Sequence, residues 1–302
     1  ETMCNYLNSR GKRKFGFAMR GRNQTSPDDN ATIYTIGYFI EIFLAEYRES
    51  IKYNTPIVPQ IVFVDEVHDK SWQMDFLLSI LFWLQQVKKA PIKIVMASAT
   101  MNEDDIFKRM IVPPYVLSIE NEKPNVNIIF SDETIHPIEN NKMAMNLHKK
   151  MFSKLIDILN ETPKGNIICL FPGKDEINVF MSMLVTKDFD DCNIYALHSQ
   201  TSREDQIMAL KKSTTRTIIL GTNMLENAIS IPDIDFVIDS GLRKEIHNNE
   251  GIQSLNLVKS AQSSAIQFSG RCGRFGVTGT AFQMMTQYEF ESRPRFPTSE
   301  AE

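Results

Sequence analysis

Apolar residues along this chain fall into short dense runs, and longer stretches with helical spacing separate many of those runs. Runs of three to six residues, mostly apolar or β-branched, predict strands at 15–19, 31–34, 61–64, 92–97, 126–130, 166–171, 192–196, 217–220, 236–238 and 279–284. Stretches with apolar residues three and four apart predict helices at 71–89, 143–160, 174–184 and 202–211. Met143, Leu147, Met151, Leu155 and Ile158 form one such stripe, which is the core-facing side of a helix. Strands alternating with helices predict an α/β fold with mainly parallel sheets covered by helices on both faces. The stretch 113–124 carries three prolines and no helical periodicity. It reads as a crossing between two α/β domains, the first over residues 1–118 and the second over 119–302.

Composition narrows the classes. A length of 302 residues suits two ordinary domains, and 42% hydrophobic with 23% charged residues is ordinary for a globular protein. A formal net charge of −4 means that any nucleic-acid contact comes from a local basic groove. Cys4, Cys169, Cys192 and Cys272 are scattered, without a Cys-x-x-Cys pair, which fits a reducing compartment and suggests neither zinc nor a disulfide framework. The longest apolar stretch, 76–84, is too short to span a bilayer, and no secretory pattern opens the chain. A cytoplasmic location is expected. The start at Glu1 rather than Met suggests a piece of a longer polypeptide with flanking domains.

Four short segments carry candidate chemistry. Ile61-Val62-Phe63-Val64 is followed by Asp65-Glu66-Val67-His68. Ligands bind at the carboxyl ends of strands in open α/β sheets. An acidic pair there suits a hydrated magnesium ion and an attacking water, or else a plain helix N-cap. Ile94 to Ala97 is a second apolar strand, ending in Ser98-Ala99-Thr100. Its hydroxyls can bond the carboxylates, or the segment is a common strand end. Gly221-Thr222-Asn223 follows a third strand and can offer backbone N–H groups to an anion or cap a helix. Gln267 to Arg274 places Arg271 and Arg274 three apart on a helical turn, pointing the same way. Such a pair can clamp a transferring phosphoryl group or stand solvated on a surface helix.

Taken in order, Asp65-Glu66-Val67-His68, Ser98-Ala99-Thr100, Thr222-Asn223 and Gln267 to Arg274 resemble motifs II, III, V and VI of superfamily 2 DExH/DEAH helicases. Met19-Arg20-Gly21 and Tyr34 to Phe39 are similar to the helicases of positive-strand RNA viruses, of the potyvirus and pestivirus kinds. The resemblance implies two tandem RecA-like domains, an ATP and Mg²⁺ requirement, and RNA, single-stranded or duplex, as partner. Asp65 would hold the metal, Glu66 would act on the attacking water, and His68 would link the nucleotide to the other domain. Ser98 and Thr100 would couple hydrolysis to closure, Gln267 would help position the water, and Arg271 and Arg274 would reach the phosphates. RNA contacts carried over from the family are Thr35 and Gly37 in the first domain, with Arg20 beside them. In the second they are Gly173, His198, Ser199, Thr222 and Asn223. Residues 243–257 correspond to the family's strand-separating β-hairpin, and Asn248 to Gly251 reads as its turn.

The pattern departs from the family in three places. No Gly-x-x-x-x-Gly-Lys-[Ser/Thr] loop occurs, because Gly173-Lys174 lacks the earlier glycine. The resemblance of residues 1–8 to the helix after motif Ia puts that loop upstream, so these 302 residues alone are expected to be inactive in hydrolysis. Phe268 stands where the family usually has an arginine, and Ala228 where it usually has a serine. The expectation is an ATP-dependent RNA helicase core, translocating on single-stranded RNA and serving viral RNA replication in the host cytoplasm. The alternatives are a degenerate core acting as a non-enzymatic RNA-binding or assembly scaffold, and a DNA translocase of the same superfamily.

Overall fold

A computed structural model of the chain describes all residues except 1, 11–13, 56–60, 69–70, 99–102, 120–124, 186–188, 190, 212, 223–224, 226–233, 250–251, 274–277 and 298–302. Two compact units divide the chain, Glu1–Val116 and Leu117–Glu300.

The first unit opens with helix α1 (Thr2–Arg10), followed by strands β1 (Phe15–Met19), β2 (Arg22–Gln24) and β3 (Ala31–Tyr34). Strand β1 pairs antiparallel with β2 and parallel with β3. Helix α2 (Ile36–Tyr53) comes next, then β4 (Ile61–Val64), α3 (Trp72–Phe82), β5 (Lys93–Met96) and α4 (Glu103–Phe107). Ser71 caps α3 by accepting from the Met74 N–H at 3.4 Å, and the helix runs out in a π-helical turn, Trp83–Val87. Thus the periodic stretch 71–89 is one element whose last turn is widened. Strands β4 and β5 pair in parallel, Val62 beside Ile94 and Val64 beside Met96. Val62, Val64, Met74, Leu77, Leu78 and Leu81 pack with Ile40 and Phe43 of α2 into one core.

The second unit is built on a six-stranded, wholly parallel sheet. It contains β6 (Val126–Phe130), β9 (Asn166–Leu170), β10 (Cys192–Leu197), β11 (Arg216–Gly221), β12 (Ile234–Asp239) and β15 (Gly279–Gln283). Their order across the sheet is β10-β11-β9-β12-β15-β6. The central strands β9 and β11 are apolar and buried along almost their whole length, as strands covered on both faces must be. Among the described residues the unit also contains helices α5 (Met145–Glu161), α6 (Lys174–Leu184), α7 (Arg203–Leu210), α8 (Gln262–Ser269) and α9 (Gln287–Glu291). Leu147, Met151, Leu155 and Ile158 of α5 are buried against the sheet, the stripe seen in the sequence. Two antiparallel ribbons stand apart from the main sheet. They are β7 (Ile138–Glu139) with β8 (Lys142–Met143), and the longer β13 (Leu242–Asn249) with β14 (Ile252–Lys259).

The parallel α/β architecture is the one the sequence pattern predicts. One local expectation fails. Helix α8 stops at Ser269 with Gly270 as its C-cap, so Arg271 lies in the turn after the helix rather than on the helix itself. Gly273, at φ 71°, continues that turn where a Cβ would sit 2.4 Å from the Asn125 carbonyl oxygen.

Candidate functional site: acidic turn and nucleic-acid loops

In the first unit, Asp65 follows β4 directly and is exposed. Its Oδ1 accepts from the Glu66 N–H at 3.0 Å. Glu66 has φ 55°, a left-handed conformation that a non-glycine residue adopts at a cost of about 1–3 kcal/mol. Surrounding bonds hold it there: the Val67 N–H donates to the Ala97 carbonyl at 3.1 Å, and the Ala97 N–H to the Val64 carbonyl at 2.9 Å. The sharp turn aims the Glu66 carboxylate back at His68, whose Nδ1 lies 3.2 Å from Oε2. The same Nδ1 is 2.9 Å from the Ser98 hydroxyl, at the end of β5. In the tautomer with its proton on Nδ1, the ring can donate to Glu66 or to Ser98. Asp65, Glu66, His68 and Ser98 are therefore one connected group at the carboxyl ends of two neighbouring parallel strands.

Among the described residues no group of three or more His, Cys, Asp or Glu side chains could hold a metal ion. Magnesium keeps most of its water and needs only one or two carboxylates, with substrate phosphates completing its shell. The exposed Asp65 and half-exposed Glu66 carboxylates meet that requirement.

Three more first-unit candidates lie just past the carboxyl ends of β1 and β3. Arg20 is exposed in the β1–β2 turn, where Gly21 has φ 77°. Thr35 sits at the N-cap of α2 without using its side chain as a cap, and its N–H donates to the Ala18 carbonyl at 3.4 Å. Gly37 is exposed, and a Cβ built on it meets nothing within 4 Å. Packing within the chain therefore does not demand glycine there. The first turn of α2 presents backbone N–H groups on an open side, an arrangement suited to an anion.

In the second unit, Gly173, His198, Ser199 and Thr222 cluster at the carboxyl ends of the adjacent strands β9, β10 and β11. Backbone bonds knit these loops together: the Phe171 N–H donates to the Gly221 carbonyl at 2.8 Å, and the Thr222 N–H to the Leu197 carbonyl at 3.2 Å. Lys174 Nζ donates to Gln200 Oε1 at 2.8 Å, bridging the β9 and β10 loops. His198 Nδ1 accepts from the Gln200 N–H at 3.2 Å, which selects the neutral ring protonated at Nε2. Desolvation, with the Lys174 charge second, pushes the His198 pKa below its ordinary value. Polar groups and N–H donors at such loops can hold phosphates and sugars without reading bases.

Gln267 lies on α8, and the Arg271 N–H donates to the Phe268 carbonyl at 3.0 Å. Thr100, Asn223 and Arg274 fall outside the described residues, as does Ala228. Phe268 is buried in a core cluster with Ile168, Leu170, Ile219 and Val237. Sequence reasoning did not single out Lys244 of β13, whose Nζ lies 3.0 Å from the buried Glu176 carboxylate beside Gly173. No local sequence signal links residues so far apart in the chain.

Comparison with known proteins bears on both units. Residues 150–276 match the model of the helicase conserved C-terminal domain. The chain is 27% identical over 288 residues to the ATP-dependent RNA helicase HrpA of Borreliella burgdorferi, covering 92% of this chain and 32% of that protein. To HrpA of Escherichia coli it is 25% identical over 292 residues, covering 94% and 21%. To the ATP-dependent RNA helicase TDRD9 of Rattus norvegicus it is 25% identical over 291 residues, covering 84% and 20%. The chain thus spans about a third or less of the length of these relatives. Among solved structures, the Escherichia coli DEAH/RHA helicase HrpB superposes with a TM-score of 0.77 at 22% identity, covering 99% of this chain and 36% of that one. That likeness carries the fold: an α/β chain of RecA-like type. The matched domain and each of these relatives are helicase sequences, and this chain is similar to those relatives over both units.

Proposed function

We propose that this chain is the motor portion of an ATP-dependent RNA helicase. The observation that carries the reading is the position of His68 Nδ1, 3.2 Å from Glu66 Oε2 and 2.9 Å from Ser98 Oγ. It ties the Glu66 carboxylate, at a left-handed turn after β4, to the Ser98 hydroxyl after β5. A magnesium ion, when bound, would neutralise phosphate charge beside Asp65. Glu66 is placed to accept a proton from an attacking water, with His68 holding its carboxylate in position. Arg271 and Arg274 of the second unit supply guanidinium groups for the phosphates, and Gln267 helps to place the water. Ser98 and Thr100 pass the state of the nucleotide site to the rest of the protein.

RNA is held by Thr35, Gly37 and Arg20 on one unit and by Gly173, His198, Ser199, Thr222 and Asn223 on the other. Its backbone, rather than its bases, is what these groups suit. Alternating grip by the two sets, timed by ATP binding and hydrolysis, moves the protein along a single strand. The likeness of Met19-Arg20-Gly21 and Tyr34 to Phe39 to viral helicases favours a part in viral RNA replication in the cytoplasm.

Glu66→Gln in the full-length protein tests the assignment. Loss of the proton acceptor should lower RNA-stimulated hydrolysis by about 10²–10⁴-fold while ATP binding persists. Hydrolysis near the wild-type rate would remove Glu66 from the role. A second reading, a degenerate scaffold that binds RNA without turnover, draws on Phe268. The family usually has an arginine at that position, and here the side chain is absorbed into the core. RNA binding by the full-length wild type with no RNA-stimulated hydrolysis would establish that reading, and stronger stimulation by single-stranded DNA than by RNA would establish a DNA translocase.

A further inference from the structure

The β13–β14 hairpin is fastened to the second unit at two levels. At its base, the Arg293 guanidinium donates to the Gly241 carbonyl at 2.8 Å and to the Ser260 carbonyl and hydroxyl oxygens, each at 3.3 Å. Farther out, the register pair Lys244 and Leu257 is gripped from both sides. Lys244 Nζ lies 3.0 Å from the Glu176 carboxylate of α6, whose side chain is only 7% exposed. Gly173 makes room for this pair, since a Cβ there would sit 2.6 Å from Lys244 Nζ. On the other strand, the Asn141 side chain accepts from the Leu257 N–H at 2.7 Å and donates to the Leu255 carbonyl at 3.1 Å. One amide side chain thus takes the place that a neighbouring peptide group would fill on the outer edge of β14.

Asn141 owes its direction to its turn. Asn140 and Asn141 join β7 to β8 with φ of 50° and 58°, a two-residue hairpin turn of the kind that asparagine and glycine tolerate. Beyond the second level, Ile246 and Leu255 face each other in register and are 49% and 56% exposed. The stem is held at both levels.

We propose that Asn141 is a positioning residue which, opposite the Lys244–Glu176 ion pair, fixes the stem of the β13–β14 hairpin so that its outer part works as a rigid element when the protein moves on RNA. The inference rests on the helicase reading. A hairpin that bent at its stem would yield to a duplex pressed against it, so ATP would be spent without base pairs opening. The side-chain bonds of Asn141 run to Leu255 and Leu257 of the hairpin, so its loss is expected to leave hydrolysis intact and spoil its use.

Asn141→Gly in the full-length protein is the test, because glycine keeps the left-handed turn and deletes only the side-chain bonds. Hydrogen exchange at the amides of residues 255–259 should rise about tenfold, the scale of losing two such bonds. Base pairs opened per ATP should fall about fivefold or more, with RNA-stimulated hydrolysis within about twofold of wild type. Asn141→Asp, which keeps the acceptor for Leu257 and loses the donor to Leu255, should fall between. Asn140→Gly, in the same turn, should change neither quantity. Unaltered exchange in Asn141→Gly, or raised exchange with unaltered base pairs per ATP, would overturn the proposal. Absence of RNA-stimulated hydrolysis in the wild type would instead overturn the helicase reading and the mechanical role with it, and exchange would then decide the fastening alone.

Discussion

His68 Nδ1 stands 2.9 Å from Ser98 Oγ, joining the ends of two parallel strands across 30 residues of sequence. The same nitrogen lies 3.2 Å from Glu66 Oε2, so the serine hydroxyl bears on the orientation of a carboxylate it does not touch through that bond. Ser98→Ala removes the bond to His68, a loss worth about 0.5–1.5 kcal/mol in stability. In the full-length protein the larger effect should be on coupling: RNA-stimulated hydrolysis persists while duplex unwinding falls. Parallel measurement of both rates checks this, and equal losses of the two would show that Ser98 only supports the nucleotide site.

Backbone strain at Glu66 gives a second prediction. Both Glu66→Ala and Glu66→Gly delete the carboxylate, but only glycine is at ease at φ 55°. The glycine variant should be the more stable of the two by about 1 kcal/mol, and both should lack turnover. Denaturant unfolding of the two variants side by side provides the comparison. A more stable alanine variant would mean that the left-handed conformation relaxes once the carboxylate is gone.

The depressed pKa of His198 can be probed through Lys174. Burial is the larger cause and the Lys174 charge the smaller, so Lys174→Met should raise the His198 pKa only part of the way to its ordinary value. The sign for stability follows: the folded form binds the proton less readily than the unfolded chain. The penalty is therefore absent above the unfolded pKa and grows as pH falls from there towards the folded value. His198 is half-exposed, so solvent keeps the effect small. An NMR titration of the imidazole in wild type and variant would reveal the shift, and no movement would place the charge of Lys174 elsewhere.

Much of the fold could be read from local periodicity. Strands β1, β3, β4 and β6 and helix α6 match their predicted limits, because a short run of apolar and β-branched residues or an amphipathic helix is written in the residues themselves. Helix α2 was also legible, with Ile36, Phe39, Ile40, Phe43 and Tyr47 at helical spacing, although residues 34–39 drew attention as a motif instead. The turn at Arg271 was not, since spacing alone cannot tell whether a helix passes Gly270 or ends on it. The acidic residues, serine and histidine of the first unit could be named from the sequence. Their connection through one ring nitrogen, and the left-handed turn at Glu66, depend on how β4 and β5 pair. Asn141 shows the limit most clearly: its partners lie 114 and 116 residues away, and nothing near Asn141 announces them.

The two-stranded sheet of β4 and β5 buries Val62 and Val64 on one side, while Ile61, Phe63 and Val95 on the other are 64%, 64% and 44% exposed. Parallel strands are ordinarily sheltered on both sides. Oily rings and branched side chains left open to solvent beside the acidic turn make that flank adhesive, so at high concentration the isolated chain is prone to clump there. The acidic turn grows from the ends of these same two strands, and whatever shields the bare flank will also steady the carboxylates at its rim.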